Sequence, residues 1–263
     1  MYAFEYHRPS SLDEAVALLT SDDIKLLAGG QTLIPTLKQR LAMPDALVDL
    51  GRIEALKGIR TEGDSIVIGA RTTHAEVAAS EEVRAAIPAL ARLAGLIGDP
   101  QVRNRGTIGG SVANADPAAD YPAAVVGLGA TIHTNQRTIP GDSFFEDLFT
   151  TALDDNELIT AVAFPIPQAA AYEKFANPAS GYAVVGVMVA KTAGGPRVGV
   201  TGAGPCAFRA PALEEALAGA FTPEAAKGVS MPATGLNADI HASAEYRAAL
   251  ISVLASRAVA AIG

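Results

Sequence analysis

Apolar and polar positions change over in short runs along the first fifty residues. Phe4, Glu5 and Tyr6 alternate as a short strand, which Pro9 ends. Ser11 and Glu14 have the spacing of a capping box, and Ala15, Val16, Leu18 and Leu19 supply the inner face of the helix it opens. Residues 24–28 form a short apolar strand stopped by Gly29 and Gly30. Leu33, Leu37 and Leu41 then recur every four residues, which predicts a helix that ends before Pro44, and residues 46–50 read as the next buried strand.

The pattern continues with a strand over 66–68 and a second capping box at Thr73 and Glu76. A helix is predicted over 83–96, with Ile87, Leu90 and Leu93 on one face, broken by Gly98 and Pro100. Residues 107–112 read as a small glycine-bearing strand or turn. Residues 122–128 read as a helix with proline in its first turn. Strands follow over 130–133 and 157–164. Pro165 and Pro167 mark the best boundary. Beyond it, residues 172–175, 182–191 and 197–201 predict a three-stranded antiparallel sheet with a turn at Gly194 and Gly195, and residues 211–219, 222–227 and 243–262 are helical. Strands followed by helices indicate an α+β arrangement. The division expected is 1–167, in lobes of about 1–57 and 58–167, followed by 168–263.

Composition narrows the function. Of 263 residues, 49% are hydrophobic and 18% charged, enough for a packed core. Twenty basic against 28 acidic residues give a net charge of −8, which disfavours nucleic acid as a partner. The longest uncharged runs are too short and too broken for a membrane span of roughly 20 apolar residues. The first residues carry no basic start or apolar signal core, so a cytoplasmic protein is expected. Cys206 is the single cysteine, which excludes an internal disulfide and any cysteine cluster for zinc or iron–sulfur. His7, His74, His133 and His241 have no partner at metal-ligand spacing and read as surface or core histidines.

Two double-glycine turns are the informative feature. One spans Leu26, Leu27, Ala28, Gly29, Gly30, Gln31, Thr32 and Leu33; the other spans Thr107, Ile108, Gly109, Gly110 and Ser111. Adjacent glycines let the backbone approach a ligand closely, and their N–H groups can cradle an anion. The helix expected after Gly30 would favour an anion at its N-terminus as well. A single such pair is as well explained by an ordinary turn, and neither has the spacing of a Rossmann or P-loop signature.

The chain resembles the FAD-binding medium subunits of molybdenum hydroxylases, the xanthine dehydrogenase family, and among them the aerobic carbon monoxide dehydrogenase type. The resemblance is carried by residues 4–9 (FEYHRP), 27–35 (LAGGQTLIP), 99–103 (DPQVR), 106–120 (GTIGGSVANADPAAD), 178–182 (PASGY) and 243–247 (SAEYR). It implies a two-lobed FAD-binding domain of the vanillyl-alcohol-oxidase (PCMH) type, followed by a small α+β C-terminal domain.

By the same resemblance, both glycine loops would hold the FAD pyrophosphate. Ile97 would lie beside the flavin, Asp120 would bond the cofactor, and Ile159 and Lys174 would be a hydrophobic and a basic flavin contact. Tyr182 reads as a packed strand residue or a further flavin contact. Arg103 and Arg105 flank the second loop, with ion pairing expected first and attraction of pyrophosphate second. Asp116 is expected to bond locally within its turn. The first loop departs from the carbon monoxide dehydrogenase pattern, with Gln31 and Thr32 where His and Ser are common.

The function implied is electron transfer as one subunit of an oxidoreductase. A molybdopterin-containing large subunit would oxidise the substrate, and a [2Fe-2S] small subunit would pass electrons to FAD here for delivery to an external acceptor. A dimer of heterotrimers is the assembly implied. No residue of this chain is expected to act as catalyst on the organic substrate, and no metal is expected in it. Two rival readings use the same residues: a self-sufficient flavin oxidase of the same fold, and a scaffold subunit that has lost its cofactor.

Overall fold

The computed structural model describes all 263 residues. A parallel three-stranded sheet comes first, with Ala46–Asp49 between Glu5–His7 and Ile24–Leu27. The helix Leu12–Ala17 packs Ala15 under it. Ser11 caps that helix by accepting the Glu14 N–H, but the Glu14 carboxylate turns to the Ser10 N–H and hydroxyl, so only half of the expected box forms. The next helix stops at Leu33–Lys38, because Arg40 takes a left-handed φ of 60°. Leu41, expected on its inner face, is instead exposed.

A five-stranded antiparallel sheet follows, in spatial order Ile59–Glu62, Ser65–Gly69, Ile159–Pro165, Thr131–Thr134 and Thr138–Pro140. The edge strands Ile59–Glu62 and Thr138–Pro140 are short and partly polar, and periodicity did not signal them. The helical segments between Thr73 and Leu128 cover one face of this sheet and bury Ile66, Ile68, Val77, Leu90 and Val125 in the main core. The single helix expected over 83–96 is two helices, Glu81–Ala86 and Pro88–Gly95. Pro88 has no N–H to donate, so the ladder breaks there. Ile87 and Leu90 are buried on either side of the break, which is why the apolar stripe runs through it.

Residues expected as a strand or turn over 107–112 belong to a helix, Ile108–Asn114, capped by the Thr107 hydroxyl on the Gly110 N–H. Its glycines answer packing rather than turning. A Cβ on Gly109 would meet Ala70 Cβ at 2.5 Å.

The C-terminal part contains a four-stranded antiparallel sheet, one strand more than expected: Ala169–Ala176, Ala183–Thr192, Gly195–Thr201 and the short Phe208–Arg209. Ala183–Thr192 is buried on both faces. Helix Tyr121–Leu128 lies on one and the long helix Ala244–Ile262 on the other. Met188 and Ala190 thereby join the main core, while Val185, Val187 and Val189 join a second core with Ile251, Leu254 and Val259. The packing seats the C-terminal sheet directly behind the segment that carries Asp120.

Candidate functional site

A cleft of about 890 Å³ opens between the parallel sheet and the antiparallel one. That is within the range of small-molecule and cofactor sites, roughly 300–1,000 Å³. Both glycine loops reach it, but they present different chemistry.

The first loop leaves the strand Ile24–Leu27 and turns at Gly30, whose φ of 70° is left-handed and suits glycine. None of the backbone N–H groups of residues 29–33 donates to an acceptor within the protein. Gly29, Gly30 and Leu33 are half-buried, where N–H groups are normally paired, and Gln31 and Thr32 are exposed; five successive free donors beside a cleft form a nest for an anion. Leu26, Ala28, Gly29, Gly30, Gln31, Thr32 and Leu33 line the cleft; Leu27 does not. The helix after the loop has only six residues. The anion site is therefore the nest itself, not the expected helix end.

In the second loop only the Thr107 N–H lacks an acceptor within the protein. Ile108 N–H donates to the Thr72 carbonyl at 3.1 Å, Gly109 to Ala70 at 2.9 Å and Ser111 to Thr107 at 3.0 Å. Gly110 donates to the Thr107 hydroxyl at 3.2 Å. Thr107, Gly109, Gly110 and Ser111 line the cleft, whereas Ile108 is buried in the main core. This loop thus offers a flat, side-chain-free wall and two hydroxyls rather than the nest expected of it. The two loops touch at Gly29: a Cβ there would overlap the Arg105 carbonyl and come within 2.8 Å of Gly106 Cα.

Apolar and acidic residues complete the walls. Ile97 and Ile159 line the cleft, as does Tyr182, which stands half exposed just before the strand Ala183–Thr192. Burial, then Asp116 and Asp120, raise the Tyr182 hydroxyl above the ordinary tyrosine range. Asp116 accepts from the Ala118 N–H at 2.9 Å, the local turn bond expected of it. Asp120 lies on the opposite wall, buried, with its carboxylate held by the Tyr172 hydroxyl at 2.5 Å and by Lys174 Nζ at 3.0 Å. Burial pushes the Asp120 carboxyl up, against the pull of Lys174 and Tyr172. Lys174 is not part of the cleft surface. Its ammonium sits behind Asp120 and also donates to the Leu96 carbonyl at 3.1 Å.

Arg103 neither pairs with a carboxylate nor faces the glycine nest. Its Nη1 donates to the Ile97 and Gly98 carbonyls at 3.0 and 2.9 Å.

Three cleft residues carried no usable sequence signal. His74 is 4% exposed and forms part of the wall under Gly106. Its Nδ1 has no partner, and burial, with Arg103 nearby, lowers its pKa to about 4, so the ring is neutral at pH 7. Phe149 reaches the rim from a hairpin, at an uncommon φ of 53°. Arg71 lines the cleft while donating to the Ile53 carbonyl at 3.0 Å. A lone histidine, phenylalanine or arginine has no spacing to betray it. Gly106, directly before the second loop, makes room for the His74 ring. A Cβ on Gly106 would meet His74 Nε2 at 2.6 Å.

These features suit FAD: free N–H donors for a diphosphate, a glycine wall that permits close approach, and apolar side chains for a planar ring. No helix is long and apolar enough to cross a membrane, and no group of three or more His, Cys, Asp or Glu is placed to hold a metal ion.

Comparison with known proteins gives a consistent picture. The family description "FAD binding domain in molybdopterin dehydrogenase" matches residues 2–167. The carbon monoxide dehydrogenase medium chain of Hydrogenophaga pseudoflava is 39% identical, the match covering 97% of this chain and 96% of that one. The nicotine 6-hydroxylase medium subunit of Paenarthrobacter nicotinovorans is 35% identical over 99% of this chain and 98% of that one. Among solved structures, reconstituted CO dehydrogenase from Oligotropha carboxidovorans contains a chain that superposes with a TM-score of 0.93 at 36% identity, covering 99% of this chain and 98% of that one.

Proposed function

The chain belongs to the family of FAD-binding domains of molybdopterin dehydrogenases, and from that premise we propose that it is the FAD-carrying electron-transfer subunit of a molybdenum hydroxylase. Bound FAD would supply the ability to take up electrons singly and release them as a pair. The remaining work falls to this chain's residues. The free N–H groups of residues 29–33 hold the diphosphate, and this nest is the observation that carries the assignment. Gly109 and Gly110 keep the second wall flat, and Thr107 and Ser111 offer hydroxyls to the cofactor. Ile97 and Ile159 give the ring an apolar seat, Asp120 accepts a hydrogen bond from the cofactor, and Tyr182 stands at the mouth.

The fold we assign is the two-lobed vanillyl-alcohol-oxidase (PCMH) type over 1–167, with lobes of about 1–57 and 58–167, followed by a C-terminal α+β domain over 168–263. The family match over residues 2–167 supports the boundary. Partners of the kind implied by the relatives' designation as medium subunits would be a molybdopterin-containing large subunit and a [2Fe-2S] small subunit. The assembly would be a cytoplasmic dimer of heterotrimers that delivers electrons to an external acceptor. No side chain here is assigned as catalyst for the organic substrate.

The test is cofactor analysis of the purified chain after gentle handling or reconstitution. One flavin per chain, released by acid precipitation as FAD, is expected. FMN, flavin that stays with the precipitate, or a chain that cannot be loaded would overturn the assignment. Turnover of alcohols or phenols by the isolated chain would favour a self-sufficient oxidase.

A further inference from the structure

The turn that carries Ile97 into the cleft is held by two cations from distant parts of the chain. Helix Pro88–Gly95 ends at this turn. Leu96 caps this helix and Ile97 and Gly98 lie just beyond it, so their carbonyls have no partner within the helix. Here the Leu96 carbonyl accepts from Lys174 Nζ at 3.1 Å, and the next two, Ile97 and Gly98, accept from Arg103 Nη1 at 3.0 and 2.9 Å. Two side chains thus occupy three successive carbonyls.

The origins of the two cations differ. Arg103 comes from the short helix Pro100–Arg103 and folds back over the turn it has just left. Lys174 comes from the strand Ala169–Ala176 of the C-terminal sheet. Lys174 also bonds Asp120 on the facing wall at 3.0 Å. It therefore ties the Ile97 wall to the Asp120 wall from behind, with 6% of its side chain exposed.

The turn needs such restraint. Gly98 has a φ of 49°, and a Cβ there would meet Val102 Cβ at 2.9 Å, so the backbone passes close to the next helix with no side chain to wedge it. Ile97 itself is apolar and offers no directional bond. Its side chain packs against the main core, but packing is not directional, and the directional hold on this turn comes through its carbonyls.

We propose that Arg103 and Lys174 are positioning residues that together fix the depth of Ile97 in the cleft, with Lys174 acting by joining the two walls rather than by touching the cofactor. The proposal rests on the FAD reading for its consequence, but not for the clamp itself.

Two measurements on the full-length chain separate these. The first is hydrogen exchange of the cofactor-free protein over residues 95–100, where the Leu96 and Ile97 amides donate to the Leu93 and Ala94 carbonyls and serve as reporters. The second is FAD titration followed by flavin fluorescence and absorption. Arg103→Met is expected to speed exchange of this turn at least tenfold, to weaken FAD binding at least tenfold and to shift the flavin absorption bands. Arg103→Lys, which keeps a donor, restores part of each. Lys174→Met acts in the same direction. The double variant loses less than the product of the single losses, because one turn can be released only once.

Exchange and affinity unchanged in folded Arg103→Met would overturn the proposal, as would multiplicative losses in the double variant. If Arg103→Met unfolds globally, Arg103→Lys and Lys174→Met decide by whether faster exchange is confined to the turn; uniform or unchanged exchange in both rejects the clamp. A wild-type chain that binds no FAD removes the functional reading, and the exchange measurement still decides the clamp.

Discussion

Lys174 Nζ lies 3.0 Å from the Asp120 carboxylate, with only 6% and 5% of the two side chains exposed. A lysine lying directly on the flavin would stabilise the reduced cofactor by its charge. In this geometry that charge is balanced by Asp120, so Lys174→Met is expected to move the flavin potential by less than about 30 mV, the equivalent of 1.4 kcal/mol for a two-electron couple. The larger effect falls on stability. Removing one partner of a buried pair typically costs about 3–5 kcal/mol. Asp120, already pushed up by burial, then rises further. A carboxyl with a raised folded-state pKa favours the native state at low pH and loses that advantage as pH rises. The gap between wild type and Lys174→Met should therefore narrow as pH falls toward 4, and Asp120→Asn added to Lys174→Met should recover part of the loss at pH 7. Denaturant unfolding of the cofactor-free chain reads both.

The contact between Gly29 and Arg105 sets an order among glycine variants. A Cβ on Gly29 would overlap a backbone carbonyl, which cannot swing aside, and so would part the two loops. A Cβ on Gly110 would meet the Thr107 hydroxyl at 2.9 Å and Ala28 Cβ at 3.7 Å, and Gly110 lies in a helix with ordinary φ. Gly29→Ala is expected to weaken FAD binding by two orders of magnitude or more, and Gly110→Ala by about tenfold or less. Gly110→Val should fall between them, acting through the displaced Thr107 hydroxyl rather than through backbone strain. Fluorescence titration of the three variants, with circular dichroism as the check on folding, tests the ranking. Equal losses would mean that both loops bind the diphosphate alike.

What could be read along the chain was what local chemistry decides. The box at Thr73 and Glu76 forms in full, whereas the box of the same spacing at Ser11 and Glu14 forms only by half because Ser10 takes the Glu14 carboxylate. The first loop was legible because its left-handed Gly30 and its free N–H groups are properties of one short segment. The second loop reads along the chain as a strand or turn and is a helix, because Gly109 owes its place to Ala70, 39 residues away, and no spacing reports that contact. The resemblance puts Lys174 against the flavin, whereas its hydrogen bonds run to Leu96 and Asp120, elements joined only by packing. The break at Pro88 was hidden by an apolar stripe that both helices share.

Glu157 anchors the strand that carries Ile159. Its carboxylate accepts from Arg137 at 2.9 Å, from the Thr134 hydroxyl at 2.6 Å and from the Asp154 N–H at 3.0 Å. These bonds, the Arg137 bond foremost, lower its pKa to about 2. A depressed carboxyl stabilises the fold above its ordinary pKa and loses that contribution as pH falls through about 4.5 toward 2. Because Arg137 is half exposed, the pair is screened, and about 1–2 kcal/mol is expected from it at pH 7. Glu157→Gln should show that deficit by urea unfolding at pH 7, and the difference from wild type should shrink at pH 3. A deficit that does not change with pH would mean that the carboxylate's charge contributes nothing and only its shape matters.

His74 should make the chain acid-sensitive over a higher window. Its folded-state pKa of about 4 lies below the ordinary 6.5, because burial disfavours the charged ring and Arg103 adds to the effect. Below pH 6.5 the unfolded chain binds a proton at this position that the folded chain refuses. The stability His74 supports is thus complete above 6.5 and declines as pH falls toward 4. A tenfold difference in proton affinity between the two states is worth about 1.4 kcal/mol, so the loss between pH 7 and pH 5 is about 2 kcal/mol. His74→Gln removes the titrating group and leaves a polar side chain in the same wall. It will cost some packing against Tyr121, whose ring lies 5.4 Å from His74, but that cost does not vary with pH. The expected result is a flatter stability profile between pH 7 and pH 5 in His74→Gln than in wild type, measured by chemical denaturation of the cofactor-free chain. The same neutrality predicts that FAD affinity of the wild type stays level through pH 6.5, since the ring under Gly106 does not change charge there. A histidine C–H resonance of residue 74 that titrates near 6.5 would contradict both expectations, and would place a cation in the wall beneath the second loop instead of a neutral ring.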